Sequence, residues 1–123
     1  MLGPITKSVT LPPVRWLSPV EWSALEKYCE SARSLYGDRI HEMILFGSRV
    51  RGEGYEESDL DVAMIITTED SNLSRELYDM ATELWLETEI KISPLVFSIK
   101  EYELLLQMKK GIAVAIHNEG VAL

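Results

Sequence analysis

The sequence is poor in cysteine, in basic residues and in long apolar runs, and each shortage excludes a class of protein. A single cysteine, Cys29, cannot form an internal disulfide bond, so the chain is not a disulfide-stabilised scaffold. No apolar run approaches the roughly 20 residues that a membrane-spanning helix needs. The N-terminus also lacks the apolar stretch of a signal peptide, so we expect a cytoplasmic protein.

The shortage of basic residues bears on the partners of the protein. Lys and Arg number 12 against 20 Asp and Glu, which gives a formal net charge of −8. Proteins that bind nucleic acid non-specifically usually carry a basic face that neutralises phosphates. The charge therefore argues against such binding. It favours a basic protein partner, or a small anion held by local arginines and a metal.

The remaining composition is that of an ordinary globular protein. With 123 residues, 46% of them hydrophobic and 26% charged, the chain is long enough for one domain with a single core. Residues 1–17 contain three prolines and no hydrophobic periodicity, which predicts an extended N-terminal arm. We expect residues 18–123 to form the domain.

Predicted helices and strands alternate through this domain. Ser18 and Glu21 flank Pro19 in the pattern of a capping box, which predicts a helix that ends near Tyr36. Apolar segments predict strands over 40–46, 61–67 and 89–98, and further helices are predicted over 73–87, 98–110 and 112–118. Pro94 lies in the third strand and favours an edge position. The alternation predicts an α+β fold, a small sheet packed with helices.

The most informative stretch joins the first two predicted strands. Gly47 and Ser48 follow the first strand, and Asp59 and Asp61 begin the second. A strand that ends in Gly-Ser exposes backbone N–H groups that suit a phosphate. Two Asp at i and i+2 point to the same side of an extended chain, where a hard cation such as Mg²⁺ would relieve their repulsion. The stretch therefore predicts a phosphate site beside a metal site, as in phosphoryl or nucleotidyl transfer.

The spacing of these residues also carries a family resemblance. Gly47-Ser48, ten further residues and then Asp59-x-Asp61 resemble the signature of the minimal nucleotidyltransferases in the DNA polymerase beta superfamily. The resemblance implies a polymerase-beta-like core in which the two Asp are catalytic and bind Mg²⁺, with ATP as the nucleotide donor. The nucleotide-binding residues that it implies are Gly47, Ser48, Arg49 and Arg51.

One position departs from the resemblance. Members of the superfamily usually carry a third carboxylate on the strand after the second helix, and an Asp commonly stands where this chain has Lys91. Glu89 lies two residues earlier, on the same face of the predicted strand about 6.5 Å away, and is the alternative third acid. Otherwise Lys91 brings a cation beside the metal, or pairs with Asp61 or with a phosphate.

The resemblance implies transfer of AMP from ATP to a hydroxyl group. Chains of this size are commonly paired with a small helical HEPN-type protein, for which the nucleotidyltransferase acts as antitoxin against an RNase toxin. A non-catalytic module that binds a nucleotide or a partner and acts by occlusion is a second hypothesis, supported by Lys91. An antibiotic-modifying nucleotidyltransferase is a third. The sequence leaves open the acceptor, the base of the nucleotide and whether the protein forms a homo-oligomer.

Overall fold

The structure is a computed structural model that describes residues 16–52 and 59–123. Its strands are β1 (Ile40–Phe46), β2 (Leu60–Ile66), β3 (Ile92–Ser98) and β4 (Val121–Ala122). Its α-helices are α1 (Pro19–Tyr36), α2 (Ser48–Arg51), α3 (Ser71–Thr88), α4 (Ile99–Gln107) and α5 (Gly111–Glu119), and a 3₁₀ turn over Gly37–Arg39 joins α1 to β1. The strands form one sheet in the order β3-β2-β1-β4. β1 runs antiparallel to both neighbours, and β2 runs parallel to β3.

Helices cover both faces of the sheet, because alternate residues of the central strands are apolar and point in opposite directions. One core cluster joins α1 and α3 to the sheet and includes Leu25, Tyr28, Met43, Leu45, Val62, Met64 and Leu77. The opposite cluster joins α4 and α5 to the sheet and includes Ile44, Phe46, Ala63, Ile65, Tyr102 and Ile116. Asp61 alternates with Ala63 and Ile65, so its side chain belongs to the α4–α5 face at the end of the sheet.

Two helices begin at reciprocal capping boxes, one of which is the predicted Ser18–Glu21 box. Ser18 accepts a hydrogen bond from the Glu21 N–H (3.1 Å), and the Glu21 carboxylate accepts one from the Ser18 N–H (2.9 Å). Ser98 and Glu101 make the same pair of bonds at α4. Each box satisfies backbone donors that a helix start would otherwise leave unbonded. The predicted bounds of α1 and β1 are confirmed, as is the edge position of β3.

The prediction for the third strand was wrong at its start. β3 begins at Ile92 rather than Glu89, because α3 continues through Thr88. Glu89 then ends the helix in the left-handed conformation (φ 65°), and its N–H donates to the Trp85 carbonyl. The start of α3 was also missed, since Asp70 caps it by accepting a hydrogen bond from the Leu73 N–H (3.0 Å). A non-glycine helix terminator at φ > 0 has no strong sequence signal.

The C-terminal end of the chain differs from the prediction in three ways. α4 ends at Gln107 rather than near residue 110, and α5 begins at Gly111 rather than at residue 112. Residues Val121–Ala122 form β4, which pairs with Ile44 and Leu45 and was not predicted. Gly120 permits this pairing, because a Cβ there would lie 2.3 Å from Ile44 Cγ2. None of the helices in the described ranges is long and apolar enough to cross a membrane.

The predicted N-terminal arm lies mostly outside the described residues. Its last two residues are described, and both pack on the domain. Leu17 is buried in the core, whereas the Trp16 indole is half-exposed and lies against Gly52. A Cβ on Gly52 would lie 2.5 Å from Trp16 Cε2, so the indole covers the end of α2. The last two residues of the predicted arm therefore belong to the packed domain.

Candidate functional site

The two predicted acids lie where β1 ends and β2 begins. Phe46, the last residue of β1, pairs with Asp61, which brings the following Gly47 beside the same carboxylate. Gly47 has φ 93°, and a Cβ at this position would lie 2.5 Å from Asp61 Oδ2. This position therefore requires glycine for two reasons: its backbone conformation, and the close approach of the Asp61 carboxylate. The fold thus joins the Gly-Ser turn to the Asp pair.

Asp61 is partly buried, and a second carboxylate, that of Asp59, lies near it. Burial raises the pKa of the Asp61 carboxyl, and the charge of Asp59 raises this pKa further. Asp59 is more exposed, with 40% of its side chain accessible to solvent. The raised pKa of Asp61 means that ionising this carboxyl beside Asp59 costs free energy. A bound cation would relieve that cost, because it attracts both carboxylates.

Ser48 and Arg51 lie on the short helix that follows Gly47. Ser48 is the first residue of α2, and the Val50 N–H closes the turn by donating to the Gly47 carbonyl (3.1 Å). Arg51 lies one turn further on, where its Nη1 is 3.3 Å from Glu119 Oε1 at the end of α5. Both residues are close in sequence to the Gly47–Asp61 contact. Their binding of nucleotide phosphates stays a prediction.

Arg49 has a different environment from the one expected of a nucleotide ligand. Its side chain is only 4% exposed and makes a forked ion pair with Glu21, in which both N–O distances are 2.7 Å. Arg49 Nη2 also lies 3.4 Å from the Trp16 carbonyl oxygen. Glu21 was predicted as a helix cap alone, so this ion pair was not predicted. In the structure the guanidinium of Arg49 therefore bonds to a protein carboxylate.

The pairing of β3 with β2 shows which residues lie beside the Asp pair, where the superfamily usually carries its third acid. β3 pairs with β2 so that Ser93 is opposite Asp61, and Leu60 N–H donates to the Lys91 carbonyl (3.0 Å). Lys91 Nζ lies 3.9 Å from Asp59 Oδ2, on the exposed edge of the pair. The same ammonium stands 5.1 Å from the centre of the Trp85 ring. A cation thus lies beside Asp59, and a serine stands beside Asp61.

Glu89 does not share a strand face with Lys91, because it ends α3 before β3 begins. In the described ranges, no three or more His, Cys, Asp or Glu side chains are grouped as a metal site would require. Two carboxylates are nevertheless an adequate protein contribution for Mg²⁺, which usually keeps its other positions for water and substrate phosphates. Asp59 and Asp61 therefore fit a magnesium ion that arrives with a nucleotide.

Cys29 and the cleft beside it are separate from the Asp pair. Cys29 is buried in the core, and burial raises the pKa of its thiol to about 11, which disfavours the reactive thiolate. A cleft of about 200 Å³ beside Cys29 is lined by residues of α1 and by Leu123, and it contains neither acid of the pair. Neither Cys29 nor the cleft beside it is therefore part of the candidate site.

Sequence reasoning missed two residues near the pair. Ser93 lies opposite Asp61 because β3 begins at Ile92 and runs parallel to β2, whereas the predicted strand began at Glu89 and had no assigned register. Trp85 lies on α3 and is 44% exposed. Its contact with Lys91 depends on where α3 ends, so the sequence alone could not show it.

The fold brings the Gly-Ser turn against Asp61 at the junction of β1 and β2, as the motif predicted. Comparison with known families agrees. Residues 27–120 match the family model described as "Polymerase beta, Nucleotidyltransferase". This match covers most of the chain, so the protein belongs to the polymerase beta nucleotidyltransferase family, as the Gly-Ser and Asp-x-Asp motif predicted.

Two curated proteins of the archaeon Methanocaldococcus jannaschii are similar to the chain. "Putative protein adenylyltransferase MJ0604" is 35% identical over 78 residues, which cover 63% of this chain and 74% of that protein. "Putative protein adenylyltransferase MJ0141" is 31% identical over 75 residues, which cover 59% and 75%. A solved structure titled as a putative nucleotidyltransferase from Sulfolobus solfataricus aligns with 88% of this chain and 89% of that one, with 14% identity and a TM-score of 0.48.

Proposed function

We propose that this chain transfers AMP from ATP to a hydroxyl group on a protein. The observation that carries the proposal is the contact of Asp61 with Gly47, with Asp59 beside them, at the junction of β1 and β2. Family membership supports nucleotide transfer. The adenylyl group and the protein acceptor are suggested by the names of the two archaeal relatives.

Each residue of the site has a role in this proposal. Asp59 and Asp61 would hold Mg²⁺, which when bound neutralises charge on the phosphate oxygens and on the pyrophosphate that leaves. Gly47 lets the phosphates approach the backbone, and the hydroxyl of Ser48 donates a hydrogen bond to a phosphate oxygen. Arg51 is exposed enough to add a charged hydrogen bond on the side of α5.

The acceptor, in this proposal, is a helical HEPN-type protein for which the chain acts as antitoxin. The acidic balance of 20 Asp and Glu against 12 Lys and Arg suits a partner with a basic surface. The short C-terminal helices also leave large apolar side chains exposed, including Leu104, Met108 and Ile112. Exposed apolar side chains of this size are common where another protein binds.

A module that binds nucleotide without transferring it is the second candidate. Lys91 favours it, because its ammonium lies 3.9 Å from Asp59 and the position opposite Asp61 carries Ser93, which is not an acid. Such a site would lack the carboxylate that accepts the proton of the attacking hydroxyl.

One experiment separates the two candidates. The protein is incubated with labelled ATP, Mg²⁺ and the product of the neighbouring gene, and the intact masses of both proteins are measured. Transfer predicts AMP on the neighbour, and this signal is lost in the Asp59→Asn, Asp61→Asn double variant. Binding of ATP without any adenylylated protein would favour the occlusion module. Absence of both binding and transfer would overturn both candidates.

A further inference from the structure

A buried ion pair outside the candidate site joins the start of α1 to the Gly-Ser turn. Glu21 and Arg49 are 9% and 4% exposed in their side chains, and both guanidinium nitrogens of the fork lie 2.7 Å from carboxylate oxygens. Two charges in such a place are costly unless each is fully hydrogen-bonded. The Glu21 carboxylate meets this condition, because it also accepts the N–H of Ser18 (2.9 Å).

The Glu21–Arg49 ion pair is directly connected to the Gly47–Ser48 turn through the backbone of α2. Arg49 is the second residue of α2, immediately after Ser48, so whatever holds its side chain also holds the turn. The other end of α2 is covered by Trp16, whose indole lies against Gly52 and whose carbonyl oxygen is 3.4 Å from Arg49 Nη2. The start of α1 and the residues before it therefore hold both ends of the four-residue helix.

A helix of four residues does not fix its own position, because it has too few internal hydrogen bonds to offset the loss of backbone entropy. The Gly47 backbone must nevertheless lie within contact distance of Asp61 for the site to exist. We propose that Glu21 is a positioning residue for the nucleotide site, and that it acts through Arg49 to hold the Gly47–Ser48 turn against Asp61. The proposal rests on the proposed function and assigns Arg49 to the support of the site.

The test uses Glu21→Gln, which keeps the shape of the side chain and removes its charge. Two quantities are measured in the full chain: the Kd for ATP with Mg²⁺, and amide hydrogen exchange of the peptide over residues 46–52 without ligand. We expect the Kd to rise roughly tenfold and exchange of this peptide to speed up. Arg49→Lys keeps the charge but loses the fork, so it should change both quantities in the same direction. It also replaces Glu21→Gln if that variant does not fold.

Tyr28→Phe is the matched control for lost stability. Tyr28 lies on the same helix, but its hydroxyl donates to the Leu77 carbonyl (2.8 Å), so its removal weakens the packing of α1 on α3. We expect a lower melting temperature with no change in the Kd or in exchange over 46–52. If Tyr28→Phe changes both as much as Glu21→Gln does, Glu21 contributes only general stability and the proposal is wrong.

Two further outcomes are decisive. If Arg49 binds the nucleotide directly, Glu21→Gln will leave the Kd unchanged or lower it while Arg49→Lys weakens binding, and the positioning role is overturned. If the wild-type protein binds no ATP, the proposed function fails. The exchange measurement, which needs no ligand, then decides by itself whether Glu21 holds the turn.

Discussion

Asp61 and Gly47 meet at the open end of the β1–β2 pair, so closely that a Cβ on residue 47 would lie 2.5 Å from Asp61 Oδ2. The contact joins the two halves of the motif, which ten residues separate in the sequence between Ser48 and Asp59. Phe46 pairs with Asp61 in the sheet, so the register of two buried strands sets this contact. The stability of the strand pair and the geometry of the site therefore depend on the same residues.

The first prediction concerns Gly47→Ala. At φ 93° any side chain is strained, and the added methyl group would also meet the Asp61 carboxylate. We expect the free energy of unfolding to fall by about 2–3 kcal/mol in urea denaturation, together with loss of ATP binding. Gly111→Ala, which would meet no atom within 4 Å, should be neutral or slightly stabilising.

Gly37→Ala separates the two causes in this prediction. Gly37 also has a positive φ, 48°, but a Cβ there would meet no atom within 4 Å. It should therefore show backbone strain alone and leave ATP binding unchanged. Equal stability of Gly47→Ala and Gly111→Ala would contradict the close contact with Asp61.

The second prediction concerns metal and nucleotide. We expect Mg²⁺ with ATP to raise the melting temperature, because a ligand that binds the folded state alone stabilises it. Asp59→Asn with Asp61→Asn should abolish the metal-dependent part of the shift.

Without metal, the same double variant should melt above the wild type at neutral pH, since it removes two charges that repel each other. Thermal melts of both proteins, with and without Mg²⁺ and ATP, measure these effects. A shift that survives in the double variant would indicate that the ligand binds elsewhere.

The fold was predictable from the sequence wherever local signals agreed with one another. The bounds of α1 and β1 followed from the Ser18–Glu21 capping box and from a run of apolar residues. β4 was missed because two residues carry no periodicity, and it forms only where Gly120 lets the chain approach Ile44. The pairing of distant segments depends on tertiary packing, which sequence pattern does not encode.

The site was predictable in its motif but not in its surroundings. Gly47 and Asp61 followed from residue type and spacing, and the structure brings them into contact. The ion pair of Glu21 with Arg49 joins residues 28 positions apart, and each had a sufficient local explanation as a helix cap or a phosphate ligand. Sequence alone gives no reason to pair them. The start of β3 was wrong because the end of α3 at Glu89 was not foreseen.

The third prediction concerns acid denaturation. Burial raises the pKa of Glu21, but hydrogen bonds from Arg49 and Ser18 outweigh it and hold the pKa below its ordinary value of 4.5. The ionised carboxylate thus contributes stability above pH 4.5 that is lost as the pH falls through the lowered pKa. We expect Glu21→Gln to lose about 2 kcal/mol at pH 7, and to lose less as the pH falls below 4.5. Urea denaturation from pH 7 to pH 3 measures both effects.

Glu101 provides the control for this pH dependence. It fills the same capping position at the start of α4 as Glu21 does at α1, but its side chain is exposed. Glu101→Gln should cost less at pH 7 and leave most of the acid dependence in place. A Glu21→Gln protein with the pH dependence of the wild type would show that the ion pair with Arg49 does not determine acid stability.

The last prediction concerns the missing third acid. Ser93 stands opposite Asp61 in the parallel register, and Lys91 lies beside Asp59. An Asp at 93 would face the more buried acid and could accept the proton of an attacking hydroxyl, whereas an Asp at 91 would chiefly remove a competing cation. We therefore expect Ser93→Asp to raise the rate of AMP transfer with Mg²⁺ by about 10²-fold or more, and Lys91→Asp to raise it less.

Glu89→Ala should leave the rate unchanged, because Glu89 ends α3 and is not on β3. Rates measured by labelled-ATP transfer decide the matter. If Glu89→Ala abolishes transfer, Glu89 is the third acid after all, and if all three variants leave a binding-competent protein without transfer, the chain is a binding module.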